Sequence, residues 1–184
     1  MDEIIKADLY RYFGKSDRKT FSKGLREVPG FKFSYILRMC AKHKRLSIAG
    51  MYYRMLYKKY KFKYGFQIPI NTQIGKGLYL GHFGMIVING KAVIGNNCNI
   101  EHGVTIGQAN RGKRKGNPVI GNNVWIGTGA VLVGNIQIGD NVLIAPNSYI
   151  NTDIPANSLV INKNSIEIIP KENAVEGYVN NPVA

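Results

Sequence analysis

The chain is poor in the residues that build covalent or metallic frameworks. Its 184 residues include two cysteines and three histidines. Cys40 and Cys98 give neither a disulfide framework nor the close pairs of a metal site. Acidic side chains are scarce too: 11 Asp and Glu stand against 25 Lys and Arg, a formal charge of +14. No uninterrupted apolar run reaches the roughly 18 residues that a spanning helix needs. The opening Met-Asp-Glu-Ile-Ile-Lys has the wrong charge and too short an apolar stretch for a secretory signal. No Ser-His-Asp or Cys-His signature points to a covalent intermediate. A cytoplasmic location is expected, with contact at the inner membrane face as the one membrane role left open.

The charge is uneven. Residues 1–65 carry 17 basic and 5 acidic side chains, and the remainder 8 and 6. The basic character therefore belongs to an N-terminal region, 1–66, which reads as helical. Ile4-Ile5, Leu9-Tyr10 and Phe13 suggest one short amphipathic helix. Pro29-Gly30 reads as a break. Phe31 to Lys44 and Leu46 to Phe62 read as two more helices. In the last, Met51, Tyr52, Met55, Leu56 and Tyr60 form an approximate apolar stripe among lysines. That stripe packs on the rest of the chain or on a partner subunit, or else lies on an anionic membrane. No recognition motif accompanies the charge, so nucleic acid is not expected as a partner.

From Ile68 to Ile150 an aliphatic residue returns at nearly every sixth position: Ile68, Ile74, Leu80, Ile86, then Ile94, Ile100, Ile106, then Ile120, Ile126, Leu132, Ile138, Ile144 and Ile150. A small or β-branched residue usually follows four places on, as at Val104, Val124, Ala130, Val142 and Ser148. Cys98 falls on that small inward position. A period of six is neither helical nor strand-like. It fits short strands and tight turns wound into a coil with three flat sides, each aliphatic residue pointing inward. Gly or Asn at the turns supplies positive φ, and one coil needs its neighbours to bury its face. The pattern resembles the hexapeptide-repeat, left-handed β-helix family. The expected fold is mainly β: a left-handed parallel β-helix over 67–162, preceded by the helical region and followed by a tail, 163–184. The tail has apolar anchors at Ile166, Ile168 and Ile169, and its last stretch, 173–184, is expected to be disordered. The beat slips twice, near Asn89-Gly90 and across 108–118, where Gln108 to Pro118 form a polar loop thrown out of the coil. Loops on rigid scaffolds commonly carry function.

The histidines divide by register. His43 lies between two lysines and reads as a surface residue. His82 and His102 are each the third residue of a hexapeptide, those beginning at Leu80 and Ile100. If the first slip only bulges locally, they stack one rung apart with Thr128 on the next rung, all facing outward at one corner. A neutral imidazole suits proton removal from a hydroxyl. Two histidines twenty residues apart are not a zinc pattern, and no metal is expected.

Gly77-Leu78-Tyr79-Leu80-Gly81-His82, Gly103-Val104-Thr105-Ile106-Gly107, Pro118-Val119-Ile120-Gly121, Val124-Trp125-Ile126-Gly127 and Asp153-Ile154-Pro155 resemble, in order, the serine acetyltransferase branch of hexapeptide acyltransferases. The resemblance covers roughly residues 67–160. It implies acetyl transfer from acetyl-CoA to a hydroxyl, a homotrimer with its sites between coils, and His82 as general base. It also places the coenzyme near Gly107, Thr128, Ala145 and Pro146, while Arg111, Lys113, Arg114 and Lys115 are cations suited to its phosphates. The chain departs from the serine-specific pattern in three places. Gln67 stands where that branch has an aspartate, Gly81 stands where it has another, and Gly116-Asn117-Pro118 replaces Arg-His-Pro. A Lys expected after the last repeats is replaced within Asn162-Lys163-Asn164-Ser165. Gln67 or a backbone carbonyl is left to orient His82, with His102, Glu101 and Asn117 as supporting or acceptor-binding residues. These departures match the looser pattern of sugar and capsule O-acetyltransferases. The acceptor expected is a sugar hydroxyl of an exopolysaccharide or capsule precursor, small or lipid-linked; serine is the alternative.

Overall fold

A computed structural model describes residues 1–162 and 166–183. Four helices come first: α1 (Glu3–Phe13), α2 (Arg18–Glu27), α3 (Pro29–Lys42) and α4 (Ile48–Tyr64). Short strands follow: β1 (Phe66–Gln67), β2 (Gln73–Ile74), β3 (Tyr79–Leu80), β4 (Ile86–Ile88), β5 (Val93–Ile94), β6 (Asn99–Ile100), β7 (Thr105–Gly107), β8 (Val119–Ile120), β9 (Val124–Ile126), β10 (Val131–Val133), β11 (Gln137–Ile138), β12 (Val142–Ile144), β13 (Tyr149–Ile150), β14 (Ser158–Asn162) and β15 (Ile166–Pro170).

The strands form three sheets in the orders β1-β4-β7-β10-β13, β2-β5-β8-β11 and β3-β6-β9-β12-β14-β15. Through β13 every third strand is thus a neighbour, as a three-sided parallel β-helix requires. The register matches the repeat, with Leu80 beside Ile100 and Ile100 beside Ile126. The aliphatic positions are buried from Ile68 to Ile150, except that Ile74 is only partly covered. Val104, Val124, Ala130, Val142 and Ser148 are buried beneath them, and so is Cys98. One corner repeats an asparagine with positive φ on successive rungs, at Asn97, Asn123, Asn141 and Asn157. Asparagine is the non-glycine residue best suited to that left-handed conformation. The slip at Asn89-Gly90 is local, since Ile94 still pairs with Ile74 and Ile106 with Ile88.

The helical region differs from the sequence reading in three respects. Pro29 is not a break; it opens α3 from the first turn, where its missing N–H costs nothing. Helix α2 was not foreseen. It lacks a long apolar stripe, but Asp17 caps it by accepting from the Thr20 N–H at 2.7 Å. In α4 the stripe does not pack as a unit. Met51, Tyr52 and Met55 are exposed, while Tyr57, Tyr60 and Tyr64 turn inward against the core.

A buried ion pair fastens this region to the first coil. Arg38 meets Asp8 at 3.0 Å and donates to the carbonyls of Ile74 and Gly75. Asp8 also accepts from the Leu78 N–H. Burial pushes the Asp8 carboxyl above its usual range, with Arg38 opposing that rise.

The C-terminal segment, expected to be disordered, is placed through residue 183. After β15 reverses direction against β14, the chain returns along the third sheet. Tyr178 lies against Trp125, and the Val183 N–H donates to Asn97. Lys163–Ser165, with the replaced lysine position, and Ala184 lie outside the described residues.

Candidate active site

The site grows from the corner between the third sheet and the first. There Gly81, Glu101, Gly127 and Ala145 form one column, and His82, His102, Thr128 and Pro146 the next, as the pairing of Leu80, Ile100, Ile126 and Ile144 dictates. The His82 and His102 rings meet edge to face, with centroids 5.6 Å apart and planes at 88°. Both are exposed on the single chain. The loop after His82 is tied to the end of α4, because the Gly84 N–H donates to the Tyr64 carbonyl. Gly84 has φ near 140°, and a side chain there would stand 3.2 Å from the His102 Cβ. It is glycine because the loop crosses the second imidazole.

Gly81 is glycine for a different reason. A Cβ there would lie 2.6 Å from Glu101 Oε2, so the carboxylate fills the space beside the residue preceding His82. Glu101 is 9% exposed. Burial raises its carboxyl above the usual range, and His82 and His102 pull in the opposite direction. Two imidazoles and one buried carboxylate therefore share this corner. Such a group can take a proton from a hydroxyl and stabilise the resulting imidazolium.

The other residues singled out from sequence divide into two sets. Thr128, Ala145 and Pro146 continue the histidine columns. On that corner the Gly129 N–H donates to the His102 carbonyl and the Asn147 N–H to the Thr128 carbonyl. Gln67 does not join them. It sits exposed on β1 beside Val87, and among the described residues no hydrogen bond links it to His82. Gly107, Arg111, Lys113 and Asn117 lie at or beyond the end of β7, on the way to β8, a different corner of the same chain. That loop is closed by bonds between Ala109 and Gly116, and Arg114 pairs with Asp153 at 2.8 Å. Arg111 and Lys113 remain exposed. The Asn117 Oδ1 atom is buried without a hydrogen-bond partner among the described residues.

Sequence reasoning missed Arg11, Tyr79, Trp125 and Tyr178, which wall the space beside Glu101. Tyr79 and Trp125 each precede an inward aliphatic residue, so the repeat alone could have placed them on one outward stripe. Arg11 and Tyr178 come from outside the repeat and carry no such signal. Among the described residues, no group of three or more His, Cys, Asp or Glu side chains is placed to hold a metal ion.

Residues 117–152 match the family model described as bacterial transferase hexapeptide (six repeats). A serine acetyltransferase of Helicobacter pylori is 36% identical over 108 residues, 59% of this chain and 63% of the relative. The structure of serine acetyltransferase isoform 3 from Entamoeba histolytica, in complex with cysteine, superposes with a TM-score of 0.69 at 32% identity, covering 98% of this chain and 64% of that one. A serine acetyltransferase from Brucella abortus, solved in complex with coenzyme A, gives 0.74 at 25% identity over 91% of this chain and 67% of its own. The chain spans 40–63% of the length of the first curated relatives it matches. These names back the serine alternative better than the polysaccharide reading. The six-residue register and the three-sided coil make this a hexapeptide-repeat fold, and the relatives to which the chain is similar are serine acetyltransferases.

Proposed function

We propose that the protein transfers an acetyl group from acetyl-CoA to an acceptor hydroxyl, with His82 as general base. The observation that carries this reading is the imidazole pair against a buried carboxylate, on the exposed corner of a hexapeptide coil. His82 removes the hydroxyl proton as the oxygen attacks the thioester carbonyl. The carbon–sulfur bond breaks, and the proton returns to the departing thiolate. Backbone N–H groups along the corner are suited to the oxyanion. His102 and Glu101 support the imidazolium, in place of the aspartate that Gln67 replaces.

The acceptor adopted is the hydroxyl of serine, since the relatives carry that name. A sugar acceptor, lipid-linked or free, has no comparable support. Arg111 and Lys113 are the exposed cations suited to the coenzyme phosphates. Gly107, Thr128, Ala145 and Pro146 are assigned to its pantetheine arm. Because Arg111, Lys113 and Asn117 occupy a different corner from His82, a complete site needs the loop of a neighbouring protomer, as in a trimer. Phe83 and Met85, 66% and 71% exposed beside His82, give that neighbour an apolar seam to cover. No helix among the described residues is long and apolar enough to cross a membrane. Peripheral contact through the basic 1–66 region would rest on exposed Leu46, Ile48 and Phe62 of the α4 segment, and sedimentation with anionic vesicles tests it.

Release of free thiol from acetyl-CoA, with L-serine and nucleotide sugars side by side, tests the reaction and its acceptor. Serine-dependent release is expected. His82→Ala should lower kcat by roughly 10²–10⁴-fold. Full activity in that variant removes His82 from the role, and release only with a sugar removes the serine assignment.

A further inference from the structure

Helix α4 carries two apolar stripes where packing needs one. Tyr57, Tyr60 and Tyr64 turn inward against the core. Ile48, Met51, Tyr52, Met55 and Phe62 follow one another at helical spacing, which gathers them on the opposite side of the same helix. All five are exposed, Ile48 by 86% and Phe62 by 74%, and so is Leu46 in the turn before the helix. Apolar residues scattered singly over a surface need no explanation. A stripe about 21 Å long, at roughly 1.5 Å per residue, does.

The stripe is edged by cations alone. Lys44 and Arg45 precede it, Lys59 falls between Met55 and Phe62 on the same side, and Lys58 and Lys63 flank it; all five are exposed. Among the described residues none of the five has a carboxylate partner. Between Glu27 and Glu101 the chain contains no Asp or Glu, so nothing on α3 or α4 offsets them. Beside the stripe an open groove of about 340 Å³ runs between α2, α3 and α4, lined by Tyr35, Tyr52, Tyr53 and Tyr60 with Lys32. Tyrosine has an apolar body and a polar tip, which suits a boundary between hydrocarbon and water.

We infer that this face of α4 docks on an anionic lipid bilayer, with the helix lying in the plane of the interface. Ile48, Met51, Met55 and Phe62 enter the acyl boundary, the lysines meet the lipid phosphates, and the tyrosine groove sits at headgroup level. Charge selects this occupant. A second copy of the same face would set Lys58 and Lys59 against the same cations. Another face of the chain has few carboxylates to offer, since Asp2, Glu3, Asp8, Glu27 and Asp153 already meet cations of their own chain. A nucleic acid would satisfy the lysines and leave the aliphatic stripe uncovered. The inference deepens the peripheral contact proposed for residues 1–66 and does not depend on acetyl transfer.

The full-length protein is sedimented with vesicles of equal parts phosphatidylglycerol and phosphatidylcholine, and with vesicles of phosphatidylcholine alone. Binding to the mixed vesicles is expected, with little to the neutral ones, and added salt should weaken it. Lys58→Ala combined with Lys59→Ala should lower partition by roughly five-fold per cation. Met51→Ser combined with Met55→Ser should lower it by about ten-fold or more at unchanged charge. Both pairs lie on the exposed face of α4, so an unchanged melting temperature should show that lost partition is not lost folding. No sedimentation with the mixed vesicles, or full partition of the methionine variant, overturns the inference. So does a larger oligomer by light scattering in the unaltered protein than in the methionine variant, which would make a second copy the cover. Binding of random-sequence RNA as tight as that of the vesicles overturns it as well. Sedimentation uses no acetyl donor: if the vesicle results hold while no acceptor releases thiol, the acetyl-transfer reading falls and the docking face stands.

Discussion

Gly30→Ala tests whether the helical region sets the position of the catalytic corner. Gly30 lies in the first turn of α3, and a Cβ there would stand 2.0 Å from the Leu80 carbonyl oxygen and 2.9 Å from the Tyr12 hydroxyl. The Tyr12 hydroxyl itself accepts from the Leu80 N–H at 2.8 Å. Ordinary contact begins near 3.4 Å, so the helix must retreat by more than an ångström. Two effects oppose each other. Alanine is favoured over glycine by about 1 kcal/mol in a helix interior, and somewhat less in a first turn. Overpacking costs about 1–3 kcal/mol or more, and the obstacle here is backbone with no rotamer to escape into. The steric effect wins, for a net loss of about 2 kcal/mol. At ~2–4 °C per kcal/mol for a chain of this size, the melting temperature should fall by about 4–8 °C. Leu80 is two residues before His82, and a misplacement near 1 Å can cost a reaction roughly a hundred-fold. Thermal unfolding followed by circular dichroism reads the first effect, and thiol release the second. Lys59→Ala, on the exposed face of α4, is the control and should change stability by less than about 0.5 kcal/mol. A melting temperature that rises in Gly30→Ala would mean that helix propensity dominates and the close approach to Leu80 does not exist. Lost stability with intact kcat would show that α3 does not position the His82 rung.

Arg38→Ala should cost about 3–5 kcal/mol in denaturant unfolding because it strands the buried Asp8 carboxylate; Lys42→Ala, which breaks the exposed pair with Asp2, should leave the unfolding midpoint nearly unchanged. Burial pushes the Cys98 thiol up to about 12 and the Cys40 thiol up to about 11. Neither should react with a disulfide reagent at pH 8 until the protein unfolds, and fast labelling of the native state would contradict both placements. The Glu101 carboxyl is raised by burial, so the folded state holds its proton to a higher pH than the unfolded state. Its cost to stability is absent below the unfolded value and grows as pH rises through the folded one. Glu101→Gln should therefore melt higher than the unaltered protein at pH 7 and equally at pH 3. A lower melting temperature at pH 7 would show that the carboxylate has a partner in the fold.

The coil was legible because its core admits one solution per rung. Each inward position must be aliphatic, and the residue beneath it must be small, so Ile100 with Val104 or Ile126 with Ala130 announces both period and face. That same register aligns His82 with His102, and their rings meet. It could not reveal what comes from outside the repeat. Arg11 reaches the site from a helix whose own pattern reads only as amphipathic. Tyr178 arrives after a chain reversal, in a segment whose composition resembles a solvated tail. Helix α2 was hidden for a related reason: its buried residues are Thr20 and Gly24, which carry no hydrophobic signal. Met51 and Met55 misled in the opposite sense, since an apolar stripe records what could be covered and not what covers it.

The reversed strand β15 has a bearing on how the molecule behaves in a crowd. A stack of parallel strands ends in a row of open peptide groups with the correct polarity to template another molecule, the hazard of any unprotected sheet edge. By running antiparallel to β14 from Asn162 opposite Ile166 to Ser158 opposite Pro170, β15 occupies that row on the widest sheet and shows a newcomer the wrong direction. It also ends in proline, which has no N–H to offer. End-to-end growth along this sheet is thereby opposed at the rungs farthest from the histidines.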